Sequence, residues 1–229
     1  MRADGRYPLD KLPVTLTFPS TPGFCIASNT FSSVSAHAQL SQTTPHANKP
    51  SCGFLRIIGS SQLQMSFQQT NLVPLESLCV KTGQIVQQLT VTVNVLKQDG
   101  SVFGLQMSAA CAAIQHLGIP IRCIPASSEF SLQEEYVCDY LEEERGESVL
   151  QSVVDGSGQL LFFSQEGKVS GNKLMECLLN VNLQKGSGKL LEETVKTELE
   201  KRRIDNREEY SGGPSKCFFE LGRRMKFII

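Results

Sequence analysis

The chain has 229 residues, enough for one sizeable domain or two closely packed halves around an apolar core. Its 40% hydrophobic and 20% charged residues are those of an ordinary globular protein, and a formal net charge of -1 excludes a uniformly basic nucleic-acid binder, whose phosphate contacts need clustered Lys and Arg. No apolar run approaches the ~20 residues that span a bilayer, and the opening MRADGRYPLD lacks the apolar stretch of a signal peptide, so a soluble intracellular protein is the expectation.

In chain order, the first forty residues alternate turn formers with short β-type runs, FCIAS and FSSVSAHAQL, which predicts an antiparallel start. Residues 41–51, SQTTPHANKPS, are polar and carry two prolines, the pattern of a loop. GFLRIIGSSQLQMSF reads as a further strand and Leu75 to Gln88 as a helix weakened by Gly83. In LTVTVNVL, Leu89, Val91, Val93 and Val95 share one face at period two, with Thr90, Thr92 and Asn94 on the other. Asp99-Gly100 makes a turn, Ser101 is the predicted cap, and Val102 to Leu117 forms a helix closed by Gly118 and Pro120. Gly104, Ser108, Ala109, Ala112 and Ala113 suit that helix to close burial.

Further on, IPIRCIPAS and EEYVCDYLEEE precede a hairpin in which VLQSVV and QLLFFSQEG flank Asp155-Gly156-Ser157-Gly158. A helix is predicted over about Gly171 to Gln184, then a break at Gly186-Ser187-Gly188, then a charged helix from about Lys189 to Asp205 with Leu191, Val195 and Leu199 on one stripe. Residues 185–229 read as that charged helix and a tail, with 11 Lys or Arg against 8 Asp or Glu. So mild an excess fits a solvated helix face better than a nucleic-acid surface. The mixture of strands and helices gives an α+β fold class.

Little of the chemistry-bearing inventory forms a known motif. KGSGKLL at Lys185 to Leu191 fails as a phosphate loop, since Leu183 stands where the early glycine is needed and Leu190 where the hydroxyl is needed. Cys25, Cys52, Cys79, Cys111, Cys123, Cys138, Cys177 and Cys217 include no CxxC pair and read as buried reduced thiols. His37, His46 and Cys52 match no zinc spacing, and His116 stands alone near a helix end. No nucleophile elbow occurs. The acidic run Asp139, Glu142, Glu143, Glu144 and Glu147 is the one cluster able to hold a cation or donate protons, and most of it falls in a turn expected to be exposed.

Several motifs in order carry a resemblance. RADGR at Arg2 to Arg6, SNT and FSSVSAHAQL within Ser28 to Leu40, VNVLKQDG at Val93 to Gly100, DYLEEERGES at Asp139 to Ser148 and LLFFSQEGKVSGNKLMECL at Leu160 to Leu178 together resemble the RNase PH family. The resemblance implies one domain over 1–229 made of two related halves, with mixed β-sheets packed against helices. Active members let phosphate attack the terminal RNA linkage, which needs an arginine beside the phosphate and an acid near the leaving oxygen. That family writes DGGTR where this chain has DGSVF, so the expected arginine is Phe103, and it writes EDNYGESD where this chain has EEERGESV, so the expected acid is Val149. Neither residue offers the missing donor or proton. The segment NLVPLESLCVKTGQIVQQ, where active members carry RNA-binding arginines, has only Lys81.

The resemblance therefore implies a pseudoenzyme similar to the silent RNase PH-like subunits of the eukaryotic RNA exosome core. No catalytic residue, metal or cofactor is expected, and the RNA-contacting residues are not assigned. The partners implied are other RNase PH-like subunits in a hetero-hexameric ring, cap subunits with RNA-binding domains, RNA threading the channel and associated nucleases, without a membrane. Nucleus, nucleolus and cytoplasm are the implied compartments. Two other readings stay open: a phosphorolytic or metal-dependent 3'–5' exoribonuclease that uses Asp139 and the following glutamates, with Glu147 the carboxylate nearest Val149, and a stand-alone RNA-binding module.

Overall fold

The structure is a computed structural model, described for residues 2, 4–42, 54–61, 87–119, 121–133, 135–183 and 185–210. A first sheet holds β1 (Thr15–Thr17), β2 (Phe24–Ser28), β3 (Ser33–Gln42), β4 (Phe54–Ser61) and β5 (Gln87–Lys97) in the order β1-β2-β3-β5-β4. Its pairs are antiparallel except β4 with β5, which run parallel. A second, fully antiparallel sheet holds β6 (Ala126–Leu132), β7 (Tyr136–Cys138), β8 (Ser148–Val154) and β9 (Leu160–Glu166) in the order β7-β6-β8-β9.

Helix α1 (Phe103–His116) packs on β2, β3 and β5 of the first sheet and on β6 of the second. A helix between two sheets must be apolar all round, and FGLQMSAACAAIQH buries Phe103, Leu105, Met107 and Ile114 together with its run of alanines. The small residues allow close approach: a Cβ added at Gly104 would lie 3.2 Å from the Ser127 carbonyl. From the first sheet the predicted period-two face arrives intact, Leu89, Val91, Val93 and Val95 all being buried. The other side of the second sheet carries Phe130, Leu132, Leu150 and Val154, covered by Cys177 and Leu174 of α2 (Gly171–Leu183). This is the α+β architecture, with sheets packed against helices, that the sequence implies; of the two sheets the first alone is mixed.

Several local expectations change. The N-cap of α1 is Val102, without a side-chain cap bond, because the Ser101 hydroxyl is turned elsewhere. Gly186 and Gly188 lie inside helix α3 (Lys185–Tyr210), which starts earlier and ends later than predicted. Glycine costs a helix about 1 kcal/mol without forbidding it. Ser41 and Gln42 extend β3 beyond the predicted start of the loop. The rest of that loop, the predicted helix up to residue 86, Lys81, His46, Cys52, Cys79 and Cys217 lie outside the described residues. The elements up to Val195 form one compact unit; of the second, from Lys196, the remainder of α3 to Tyr210 is described.

The turn before α1 is fixed by Gly100, whose φ is +86° and whose added Cβ would lie 2.0 Å from the Tyr140 carbonyl and 2.6 Å from the Leu141 Cα. Tyr140 also accepts the Ser101 N–H at 2.9 Å, so the two chain segments are in backbone contact. Gly156, in the hairpin turn, has nothing within 4 Å of its added Cβ. Gly100→Ala should therefore cost more than ~2 kcal/mol, while Gly156→Ala stays within ~1 kcal/mol of wild type, as read from urea unfolding of the two variants.

Candidate functional site

Position 103 is the first residue of α1, where four backbone N–H groups lack helical partners and the dipole favours an anion. Phe103 is 2% exposed and packs obliquely on Phe162 of β9, ring centroids 6.1 Å apart. Val149 is buried on β8, opposite Ser131 of β6. Directly paired residues share a sheet face, so Val149, Gln151 and Glu129 point the same way, toward the helix.

Glu129 is the residue that the sequence reading missed. Its side chain is buried, and its carboxylate accepts from the Ser101 hydroxyl at 2.9 Å, the Phe103 N–H at 3.3 Å, the Gln151 amide at 3.2 Å and the Tyr140 hydroxyl at 3.4 Å. Among the described residues it has no ion-pair partner. An all-donor shell matches a carboxylate, which only accepts. Burial, then the neighbouring Glu129 charge, pushes the Tyr140 phenol above its ordinary range. The signal in the sequence was faint: Ser127, Glu129 and Ser131 share one face of β6, and polar residues there give no hint that this is the helix side.

The acidic run does not converge on a substrate-sized opening. Arg2 is almost wholly buried and forks onto Glu144: its Nε donates to Oε1 at 2.8 Å, and its Nη2 pairs with Oε2. The same guanidinium donates to the Cys138 carbonyl at 2.8 Å and the Asp139 carbonyl at 3.2 Å. Burial alone would raise the Glu144 carboxyl, but the Arg2 fork and the Leu141 N–H at 2.8 Å outweigh it and hold it below its ordinary value. Asp139 has a left-handed φ of 46° and accepts the Leu12 N–H at 3.1 Å; burial raises its pKa, opposed by Lys11 and that N–H. Glu142 and Glu143 sit exposed in a 3-10 turn (Glu142–Glu144), and Glu147 is exposed beyond it.

Other candidates have structural duties. A cavity of about 210 Å³ lies between Lys11–Val14, α1 and Leu190–Leu191. Its charged groups are engaged, the Lys11 amine with the Ser127 carbonyl at 2.7 Å and Asp139 with Leu12. His116 Nδ1 meets the Phe24 carbonyl at 3.0 Å, and His37 Nδ1 meets the Gln39 amide at 3.1 Å. Cys25 and Cys177 are pushed up to about 12 by burial, so neither is a reactive thiolate. Among the described residues no group of three His, Cys, Asp or Glu is arranged around a metal-sized point, and no helix is long and apolar enough to cross a membrane.

Against known proteins, the chain is similar to the rice (Oryza sativa) Rrp46 crystal structure, with a TM-score of 0.76 at 19% identity, covering 85% of this chain and 100% of that one. The chain has the RNase PH-like fold. An Archaeoglobus fulgidus exosome with RNA bound to the active site matches at TM-score 0.67 and 17% identity, over 84% of this chain and 92% of that one. An archaeal exosome core matches at 0.65 and 16%, over 85% and 91%. Among curated proteins, exosome complex component RRP45 of Danio rerio is 24% identical over 141 residues, 52% of this chain; the chain spans only 36% of that relative's length. No protein-family model matches.

The Arg2–Glu144 fork predicts a pH signature. A carboxyl held low in the folded state stabilises fully above its unfolded value, 4.5, and that contribution fades as pH falls through the lower folded value. Wild type should therefore exceed Glu144→Gln in urea stability at neutral pH, by about 1–3 kcal/mol for a charge-assisted, partly buried pair, and the two curves should converge below pH 4.5. A gap that persists unchanged at acid pH would show that the Glu144 charge is not what stabilises the pair.

Proposed function

We propose that this chain is a non-catalytic structural subunit of an exosome-type core ring, residues 1–229 forming one RNase PH-like domain. It pairs with other RNase PH-like subunits, helps carry cap subunits and frames a channel through which RNA passes during 3'–5' processing and degradation by associated nucleases. The nucleus, with the nucleolus, and the cytoplasm are the compartments that go with this role. The fold likeness and the RRP45 relative support the assembly half of the proposal.

The observation that carries the silent half is the filled N-terminus of α1. An incoming phosphate at position 103 would meet Phe103 instead of a cation and would stand beside the Glu129 carboxylate. Two like charges ~4 Å apart repel by about 4 kcal/mol at an effective dielectric of 20, whereas a helix terminus returns at most about 2 kcal/mol. Repulsion wins, and the Phe103 N–H is already bonded to Glu129. Val149 supplies no proton, and of the acidic run Glu144 and Asp139 are tied into the fold.

Purified chain incubated with RNA, phosphate and magnesium should release no nucleoside diphosphate, and mixing it with RNase PH-like partner subunits should give a stable hetero-complex by size-exclusion light scattering. Glu142→Gln with Glu143→Gln should change neither result. Phosphate-dependent release that this double variant abolishes would make the chain an enzyme working through its exposed glutamates. Tight RNA binding by the isolated chain with a steep salt dependence would favour a stand-alone RNA-binding module.

A further inference from the structure

We propose that the segment Arg2–Leu12 is a strap that opens as a unit ahead of the rest of the fold, with Arg2 as its latch, and that its opening uncovers the outer edge of β7. The inference rests on the strap's own contacts and holds whether or not the chain sits in a ring. A segment adheres most firmly through apolar burial, and here there is little: among its described residues Leu12 is the one buried apolar side chain, while Tyr7 and Leu9 are 65% and 39% exposed. Their stretch is tied to itself by a turn, the Asp10 N–H donating to the Tyr7 carbonyl at 3.1 Å and the Tyr7 N–H to the Asp10 carboxylate at 2.9 Å.

What holds the strap down is polar, and Arg2 carries the largest share of it. Its side chain, 4% exposed, donates to the Glu144 carboxylate and to the carbonyls of Cys138 and Asp139. Arg6 adds a bond to the Asp139 carbonyl at 3.1 Å, Lys11 one to the Ser127 carbonyl at 2.7 Å and the Leu12 N–H one to the Asp139 carboxylate at 3.1 Å. Opening hands these groups to water, so its net cost lies well below that of exposing α1, which has no wet side. Both backbone groups of Cys138 face the strap, the N–H on the Pro8 carbonyl and the carbonyl on Arg2, so the opened state presents an unpaired strand edge at the end of the second sheet. The next amide, that of Asp139, faces the other way, onto the Glu129 carbonyl at 2.9 Å, and stays bonded when the strap leaves.

Native-state amide exchange followed by NMR across a urea series tests the device. In wild type the Leu12 and Cys138 amides should exchange roughly a hundredfold or more faster than those of Cys111 to Ile114 in α1 and with little dependence on urea, while the Asp139 amide stays protected. Equal protection and equal urea dependence for Leu12, Cys138 and α1 overturn the proposal. So does an Asp139 amide that exchanges as fast as that of Cys138, which would be fraying of β7 itself. Arg2→Met should speed the Leu12 and Cys138 amides by roughly tenfold or more, and Tyr7→Ala should leave them unchanged. Two variants that behave alike overturn the assignment of the latch. Arg2→Lys, which keeps the charge and loses the fork, takes the place of Arg2→Met should that variant not fold, with the same comparison to Tyr7→Ala.

Discussion

Burying α1 between two sheets is the constraint from which most of this structure follows. Once the helix has no wet side, its sequence must be apolar or small throughout, and its first turn can no longer hand its orphan N–H groups to water. Something inside the protein has to accept them. Val102 cannot cap, and Ser101 points its hydroxyl away, so the Phe103 N–H finds its acceptor on a neighbouring strand, in the Glu129 carboxylate. That choice then recruits Tyr140 and Gln151 to satisfy the remaining lone pairs, which ties β6, β8 and the segment after β7 to the helix. Among the described residues the Glu129 carboxylate has no ion-pair partner, and its shell is made of donors, with the positive end of the helix beside it.

A second network closes the same sheet from outside. Arg2 and Arg6 both donate to the Asp139 carbonyl, the Pro8 carbonyl accepts the Cys138 N–H at 2.7 Å, and the Leu12 N–H donates to the Asp139 carboxylate at 3.1 Å. The segment from Arg2 to Leu12 thus runs as a strap along the short strand β7, finishing an edge that three residues alone could not hold. Asp139 accepts a left-handed backbone as part of this arrangement, and it can, because its short side chain bonds locally to the strap. Carboxylates that look like a cluster in the sequence are thereby divided between a strap, an ion pair and solvent.

What the sequence made legible was whatever depends on period and on turn chemistry. Alternation in LTVTVNVL assigned the buried face of β5 correctly, and the Asp155–Gly158 turn located the β8–β9 hairpin, because both signals are local. Phe103 and Val149 were also legible as apolar residues at the positions the resemblance singles out, and both are buried. Glu129 was not legible. Its meaning depends on which side of β6 faces the helix: the polar face of Ser127, Glu129 and Ser131 reads as the solvent side by alternation, whereas the strand is buried on both sides. The N-cap was misassigned for a related reason: a serine in the right place was taken at its local value, while the tertiary carboxylate that outcompetes its own capping bond lies 28 residues away.

Filling a polar site is itself a stabilising step. A first turn built to bind phosphate must keep a cation, an open volume and several uncommitted donors, each of which costs folding free energy until the ligand arrives. In this chain Phe103 and Val149 bring apolar surface into the same region, and Glu129 commits the donors permanently. Burying a phenylalanine and a valine is worth about 1.5–3 kcal/mol each, and satisfying the helix end avoids a penalty of about 1–3 kcal/mol for each orphan donor. A first turn filled in this way can therefore hold the central helix more firmly than one that must stay open for a ligand. In the ring role proposed above, that rigidity suits a surface pressed against neighbouring subunits.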